Sequence, residues 1–122
     1  MIRSTVLSVG EMAYFEDYPM LILFNETAPD ELKDVCIVHQ FDDPIQDTDT
    51  MLVENGRIIF GQKELHIVEV GNVANQNFAQ LGHITLQFPT EEQAEVLPGA
   101  VLVKEPEIPR ISAGEQIVIL TE

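Results

Sequence analysis

The sequence predicts a mainly β protein, a small β-barrel or barrel-like sandwich with one or two short helices. Short runs rich in Val, Ile, Leu and Phe recur from residue 2 to residue 120, and Gly, Pro, Asn and Asp punctuate them. Several runs alternate apolar with polar residues, the period of a strand with one buried face. The apolar content is 45%, enough for a packed core and well above that of an acidic disordered tail. At 122 residues the chain is expected to form a single domain, 1–122.

In chain order, residues 2–9 read as a first strand stopped by Gly10, and residues 20–24 as a compact apolar strand. Thr27-Ala28-Pro29-Asp30 has the spacing of a capping box with Pro in the first turn, which predicts a short helix to about Val35. Residues 35–40 read as the next strand, followed by the turn Asp42-Asp43-Pro44 and a polar, exposed loop over 46–55. Arg57–Phe60 and residues 64–70 form a predicted hairpin around Gly61-Gln62-Lys63. Residues 75–81 form a second short helix ended by Gly82. From His83 to Phe88, Ile84, Leu86 and Phe88 share one face, while His83, Thr85 and Gln87 share the other. Residues 100–104 and 116–120 complete a set of eight expected strands, and no internal repeat is visible.

Composition narrows the function. With 21 acidic against 6 basic residues and a formal charge of -15, the surface repels nucleic acid and anionic membranes and attracts a basic protein patch. Strong charge also serves solubility alone. No apolar run approaches the roughly 20 residues of a spanning helix, and the N-terminus lacks the pattern of a secretory signal. A lone cysteine, Cys36, permits no internal disulfide. Together these features predict a cytoplasmic protein without membrane insertion.

Recognisable catalytic signatures are missing: there is no Gly-x-Ser-x-Gly elbow, phosphate-binding Walker loop or dinucleotide-binding glycine turn. Asp42, Asp43, Asp47 and Asp49 lack the spacing of a calcium loop, and the histidines lack zinc-motif spacing, so neither metal nor cofactor is expected. Cys36 lies in an apolar run and reads as an inert buried thiol. Glu91, Glu92 and Glu95 read as a solvated acidic loop.

Chemistry therefore falls to three histidines. His39 ends a strand of apolar neighbours, Val35, Ile37 and Val38, where the core would hold it while its ring reaches the rim with one nitrogen open. By periodicity, a nucleophile and a structural histidine satisfied by a backbone carbonyl are both consistent with this position. His83 follows Gly82 at another junction of core and rim, where glycine lets a partner or phosphate approach the backbone. His66, mid-strand on a face with Val68 and Val70, reads as a packed or half-buried structural residue.

Specific words in the sequence go further than its periods. The stretch from Phe24 to His39, with Ala28-Pro29, Leu32, Cys36 and His39 in order, resembles the glucitol/sorbitol-specific IIA components of the bacterial phosphotransferase system. Gly61-Gln62, Val70-Gly71 followed by Val73-Ala74, Asn77, Leu81-Gly82-His83, Thr85-Leu86, Phe88 and Leu97-Pro98-Gly99 are similar to further landmarks of that family. The likeness runs from about residue 20 to 120. It is loose over residues 2–18 and departs over 40–55, where Phe41 stands in place of a second histidine that can follow the active one.

The resemblance implies a phosphotransferase role in sugar transport. A histidine, His39, would take a phosphoryl group from the carrier HPr as a phosphohistidine and pass it to a cysteine of the IIB component during glucitol or sorbitol uptake. Apart from the resemblance, His83 would donate to the phosphoryl oxygens and steady their charge if it lies on the same rim as His39. Exposed strand edges in so small a β protein would also allow a homodimer. The competing expectation is a non-catalytic β-barrel, either a ligand-binding or a regulatory interaction module.

Overall fold

In a computed structural model, which describes residues 1–15, 19–46, 49–90 and 95–121, the chain closes into an eight-stranded barrel. The strands are β1 (Ile2–Val9), β2 (Met20–Asn25), β3 (Ile37–Phe41), β4 (Arg57–Phe60), β5 (Lys63–Val70), β6 (Ile84–Gln87), β7 (Ala100–Val103) and β8 (Gln116–Leu120). Two short helices interrupt them, α1 (Asp30–Lys33) and α2 (Ala74–Leu81). Around the barrel the order is β1-β3-β2-β6-β7-β5-β4-β8, and β8 pairs back onto β1. Closure leaves no sheet edge within the barrel, so pairing through a free edge strand is not open to it.

All neighbours are antiparallel except β2 with β3 and β6 with β7. The β2–β3 pair matters most here. It is parallel, so the intervening chain with α1 must cross back over the outside of the sheet. That crossover traps a small cluster of Phe24, Ala28, Cys36 and Val38, with Ile22 and Val35 against it. Burial raises the pKa of Cys36 above its ordinary value, as expected for an unreactive thiol.

Inside the barrel, alternation selects the core. Leu21 and Leu23, Ile58 and Phe60, Leu65 and Ile67, Ile84 and Leu86, and Ile117 and Ile119 all point inward and are buried. Register puts them side by side: Ile58 faces Leu65 on one flank and Ile119 on the other, and Phe60 faces Ile117. The β4–β5 hairpin turns through Gly61 at φ 59°, a left-handed conformation that suits glycine.

α2 contributes Phe78 to the core, and its Asn75 side chain ties the helix to the preceding loop. The Asn75 Oδ1 accepts from the Met51 and Leu52 amides, and its Nδ2 donates to the Leu52 carbonyl. The polar loop expected over 46–55 therefore carries buried Met51 and Leu52.

Two local expectations are corrected. Thr27 does not cap α1: its hydroxyl and amide both donate to Asn25 Oδ1, Pro29 holds the N-cap position, and the helix shrinks to one turn. The Thr27 side chain turns back to Asn25, and Pro29 at the N-cap has no side-chain acceptor to offer. His66 is exposed, not packed, because the inward parity of β5 belongs to Leu65 and Ile67. Its Nδ1 lies 2.6 Å from Glu105 Oε2, and its amide donates to Glu105 Oε1. Asp47, Glu91 and Glu92 lie outside the described residues.

Facing parity sets a first prediction. Phe60→Ala should cost about 3–5 kcal/mol in a urea titration, whereas Val68→Ala on the outer face should cost under about 0.5 kcal/mol.

Candidate functional site

The candidate site is assembled where α2 meets the ends of β2 and β3. In β3, Ile37, His39 and Phe41 share the inward parity, so the backbone directs the His39 ring into the barrel. There its ring centroid lies 5.2 Å from that of Phe41 and 5.7 Å from that of Phe78. The residue has 0% exposure. The ring expected at the rim with one open nitrogen is thus sealed. β3 runs on to Phe41, and α2 brings Phe78 and Gly82 against the ring.

Both nitrogens are engaged. His39 Nε2 stands 2.7 Å from the Gly82 carbonyl oxygen, which can only accept, so Nε2 carries the hydrogen. His39 Nδ1 stands 2.5 Å from Ser4 Oγ, and in the neutral ring it accepts from that hydroxyl. Burial lowers the His39 pKa from the ordinary histidine value, outweighing the opposing effects of the Gly82 hydrogen bond and the negative charge of Glu26. At neutral pH the ring is therefore an uncharged Nε2–H tautomer.

Ser4 reaches His39 by register. On the β1–β3 ladder Val6 faces His39 and Ser4 faces Phe41, which makes Ser4 and His39 diagonal neighbours on the inner face. The sequence carried a signal for it: Ser4 sits between Ile2 and Val6 on a core parity, and a polar residue there needs a buried partner.

Gly82 closes α2 in the left-handed conformation at φ 57°, its amide donating to the Phe78 carbonyl. A Cβ at this position would stand 2.7 Å from Asn25 Cβ and 3.0 Å from His39 Nε2. Glycine is thus required twice, by φ and by the closeness of the histidine ring.

The next residue, His83, is half-buried just ahead of β6. Its Nδ1 donates to the Leu23 carbonyl at 3.2 Å, and its ring lies 4.8 Å from Phe24. That fixes the ring and leaves Nε2 with no partner among the described residues. One peptide thus separates a sealed histidine from one with an open nitrogen. His66, on β5, takes no part in this constellation and pairs instead with Glu105. Asn25, whose Oδ1 is held by Thr27, lies beside Gly82 and pairs with His39 on the β2–β3 ladder.

Comparison with known proteins decides the family. A family model described as the glucitol/sorbitol-specific IIA component of the PTS system matches residues 1–118. The chain belongs to that family. It is 35% identical over 95 residues to the PTS system glucitol/sorbitol-specific EIIA component of Escherichia coli K12, covering 78% of this chain and 73% of that protein. The component of the same name from Shigella flexneri matches to the same extent. A crystal structure of a PTS system IIA component from Enterococcus faecalis V583 superimposes with a TM-score of 0.84 at 30% identity, covering 98% of this chain and 99% of that one. The expected β-barrel and the expected family are both established for this IIA component, and phosphotransferase function follows from the family. No helix among the described residues is long and apolar enough to cross a membrane.

Two measurements test the geometry of the site. The pKa of His39 is lowered in the folded chain, so the unfolded chain binds a proton that the folded chain refuses. The stability due to the neutral ring is therefore complete above the ordinary histidine value and is lost as pH falls through the lowered one. The stability difference between wild type and His39→Gln should shrink on acidification below about pH 6.5, by up to about 1.4 kcal/mol per pH unit. Chemical denaturation across that range reads the slope, and a flat difference would contradict the buried neutral ring. Gly82→Ala should destabilise the fold by more than about 1 kcal/mol through strain at positive φ and the clash with Asn25.

Proposed function

We propose that this IIA component, acting as a single cytoplasmic unit, is a histidine phosphocarrier. It would accept a phosphoryl group from HPr and donate it to a cysteine of the IIB component during sugar-alcohol uptake. The observation that carries this reading is a fully buried histidine, His39, whose Nε2 is held by the carbonyl of Gly82, in a member of the family. The acceptor proposed is His39, as the family resemblance implies.

Acceptance by His39 requires a small opening. The Gly82 carbonyl must leave Nε2, and the nitrogen must surrender its hydrogen before its lone pair can attack. Glycine at 82 suits such a displacement, since its backbone reaches both signs of φ without a Cβ penalty. Once the N–P bond forms, His83, the residue after Gly82, would donate to the phosphoryl oxygens if its ring turns from Phe24 toward them. Phosphoryl transfer needs in-line placement and charge stabilisation more than elaborate covalent chemistry. Histidine suits a relay because its neutral nitrogen attacks near pH 7.

A second reading has its own observation. The nitrogen open in the resting structure belongs to His83, held by the Leu23 carbonyl through Nδ1. In that reading His83 is the acceptor and His39 is a buried support for the Gly82 peptide.

Incubation with enzyme I, HPr and labelled phosphoenolpyruvate separates these readings. Wild type should take up acid-labile phosphate, His39→Ala should take up none, and His83→Ala should label at least about tenfold more slowly. Label retained in His39→Ala but lost in His83→Ala makes His83 the acceptor. No label on wild type returns the protein to the class of non-catalytic interaction modules.

With a formal charge of -15, the surface favours a basic docking face. The initial rate of phosphorylation should therefore fall several-fold between about 0.05 and 0.5 M salt. A rate independent of ionic strength would remove the electrostatic contribution to docking.

A further inference from the structure

Among the described residues, just two polar side chains are fully buried, Ser4 and His39, and they are bonded to each other. The ring's other close neighbours are the apolar rings of Phe41 and Phe78, which offer nothing to Nδ1. The Gly82 carbonyl serves one tautomer only, because a carbonyl oxygen accepts and never donates. A hydroxyl both donates and accepts, so one rotor can hold Nδ1 in either of the ring's protonation patterns.

We propose that Ser4 is a positioning residue for phosphoryl transfer, its hydroxyl holding the His39 ring in place while the ring changes tautomer. In the resting chain the Ser4 hydroxyl donates to Nδ1, and Nε2–H is bonded to Gly82. When the Gly82 carbonyl withdraws, Nε2 releases its proton to solvent and Nδ1 gains one, with no net change in charge. Ser4 now accepts from Nδ1–H. The Nε2 lone pair then forms the new N–P bond as the donor's N–P bond breaks, and that electron pair returns to the donor nitrogen. The phosphorylated ring keeps its Nδ1 proton, and Ser4 accepts from it. With alanine at position 4, the Nδ1–H of the reactive tautomer would be buried without an acceptor, so the reactive tautomer would be disfavoured.

This inference rests on His39 as the acceptor, and the test keeps the two claims apart. Nitrogen NMR of the wild type reads the tautomer directly. The resting protein should show an unprotonated Nδ1 and a protonated Nε2 on His39, and the phosphorylated protein a protonated Nδ1. Ser4→Ala should lower kcat for transfer from HPr by about tenfold or more with little change in KM, and Ser4→Thr should restore it to within about threefold. A merely structural serine would lower the urea midpoint of Ser4→Ala and leave kcat unchanged. Wild-type kcat in Ser4→Ala, or a resting His39 protonated on Nδ1, overturns the proposal. If Ser4→Ala fails to fold, the wild-type tautomers and the Ser4→Thr rate still decide it. Label that persists in His39→Ala instead removes the acceptor assignment on which the proposal stands.

Discussion

A histidine ring enclosed by phenylalanines must find partners for both nitrogens inside the protein, and most of the architecture around the site follows from that requirement. An unsatisfied buried polar group costs about 1–3 kcal/mol, a substantial share of the net stability of a small domain. The two bonds to His39 join segments remote in sequence, Ser4 in β1, 35 residues away, and Gly82 at the end of α2, 43 residues away. One ring thus fixes the register of β1 against β3 and the seat of α2 on the barrel. The cap of α2 and the strands β1 and β3 are all tied to a single side chain.

The same requirement opposes the carrier chemistry proposed for His39. The proposed role needs an open Nε2 on His39, and in the resting fold that nitrogen is bonded to the Gly82 carbonyl. The barrel itself has little freedom to resolve this conflict, since every strand is paired on both sides. The α2–β6 junction is different. There the chain leaves the helix through a left-handed glycine and passes directly to a half-buried histidine anchored by a single carbonyl bond. The closed sheet holds the ring, and the helix laid against it covers Nε2 of His39.

Much of the fold was legible because strands announce themselves through parity. Arg57–Phe60, Lys63–Val70 and Gln116–Leu120 lie where alternation and turn residues put them, within a residue or so. The second helix ends at Gly82, as the sequence indicated. Local competition explains the failures. Thr27 bonds to Asn25 and not to the first turn of α1, a local side-chain contact that the spacing of a capping box does not reveal. His66 faces outward because Leu65 and Ile67 claim the inside, and three residues of a strand do not reveal which parity the barrel will take. His39 was placed correctly on its strand and wrongly at the rim, because nothing in the local pattern shows that α2 will be laid against that end.

By itself the sequence determined the class of the fold, the positions of the strands, the family and the short set of histidines able to carry chemistry. These depend on residue type and spacing along the chain, where turn chemistry, hydrophobic period and family words all reside. Only the tertiary structure decided that His39 is sealed, that Ser4 is its partner, that His83 holds the open nitrogen and that Gly82 stands between them. Each of those facts depends on contacts between residues at least 35 positions apart or on packing around them. Closing the barrel sets such distances, and no local pattern encodes them.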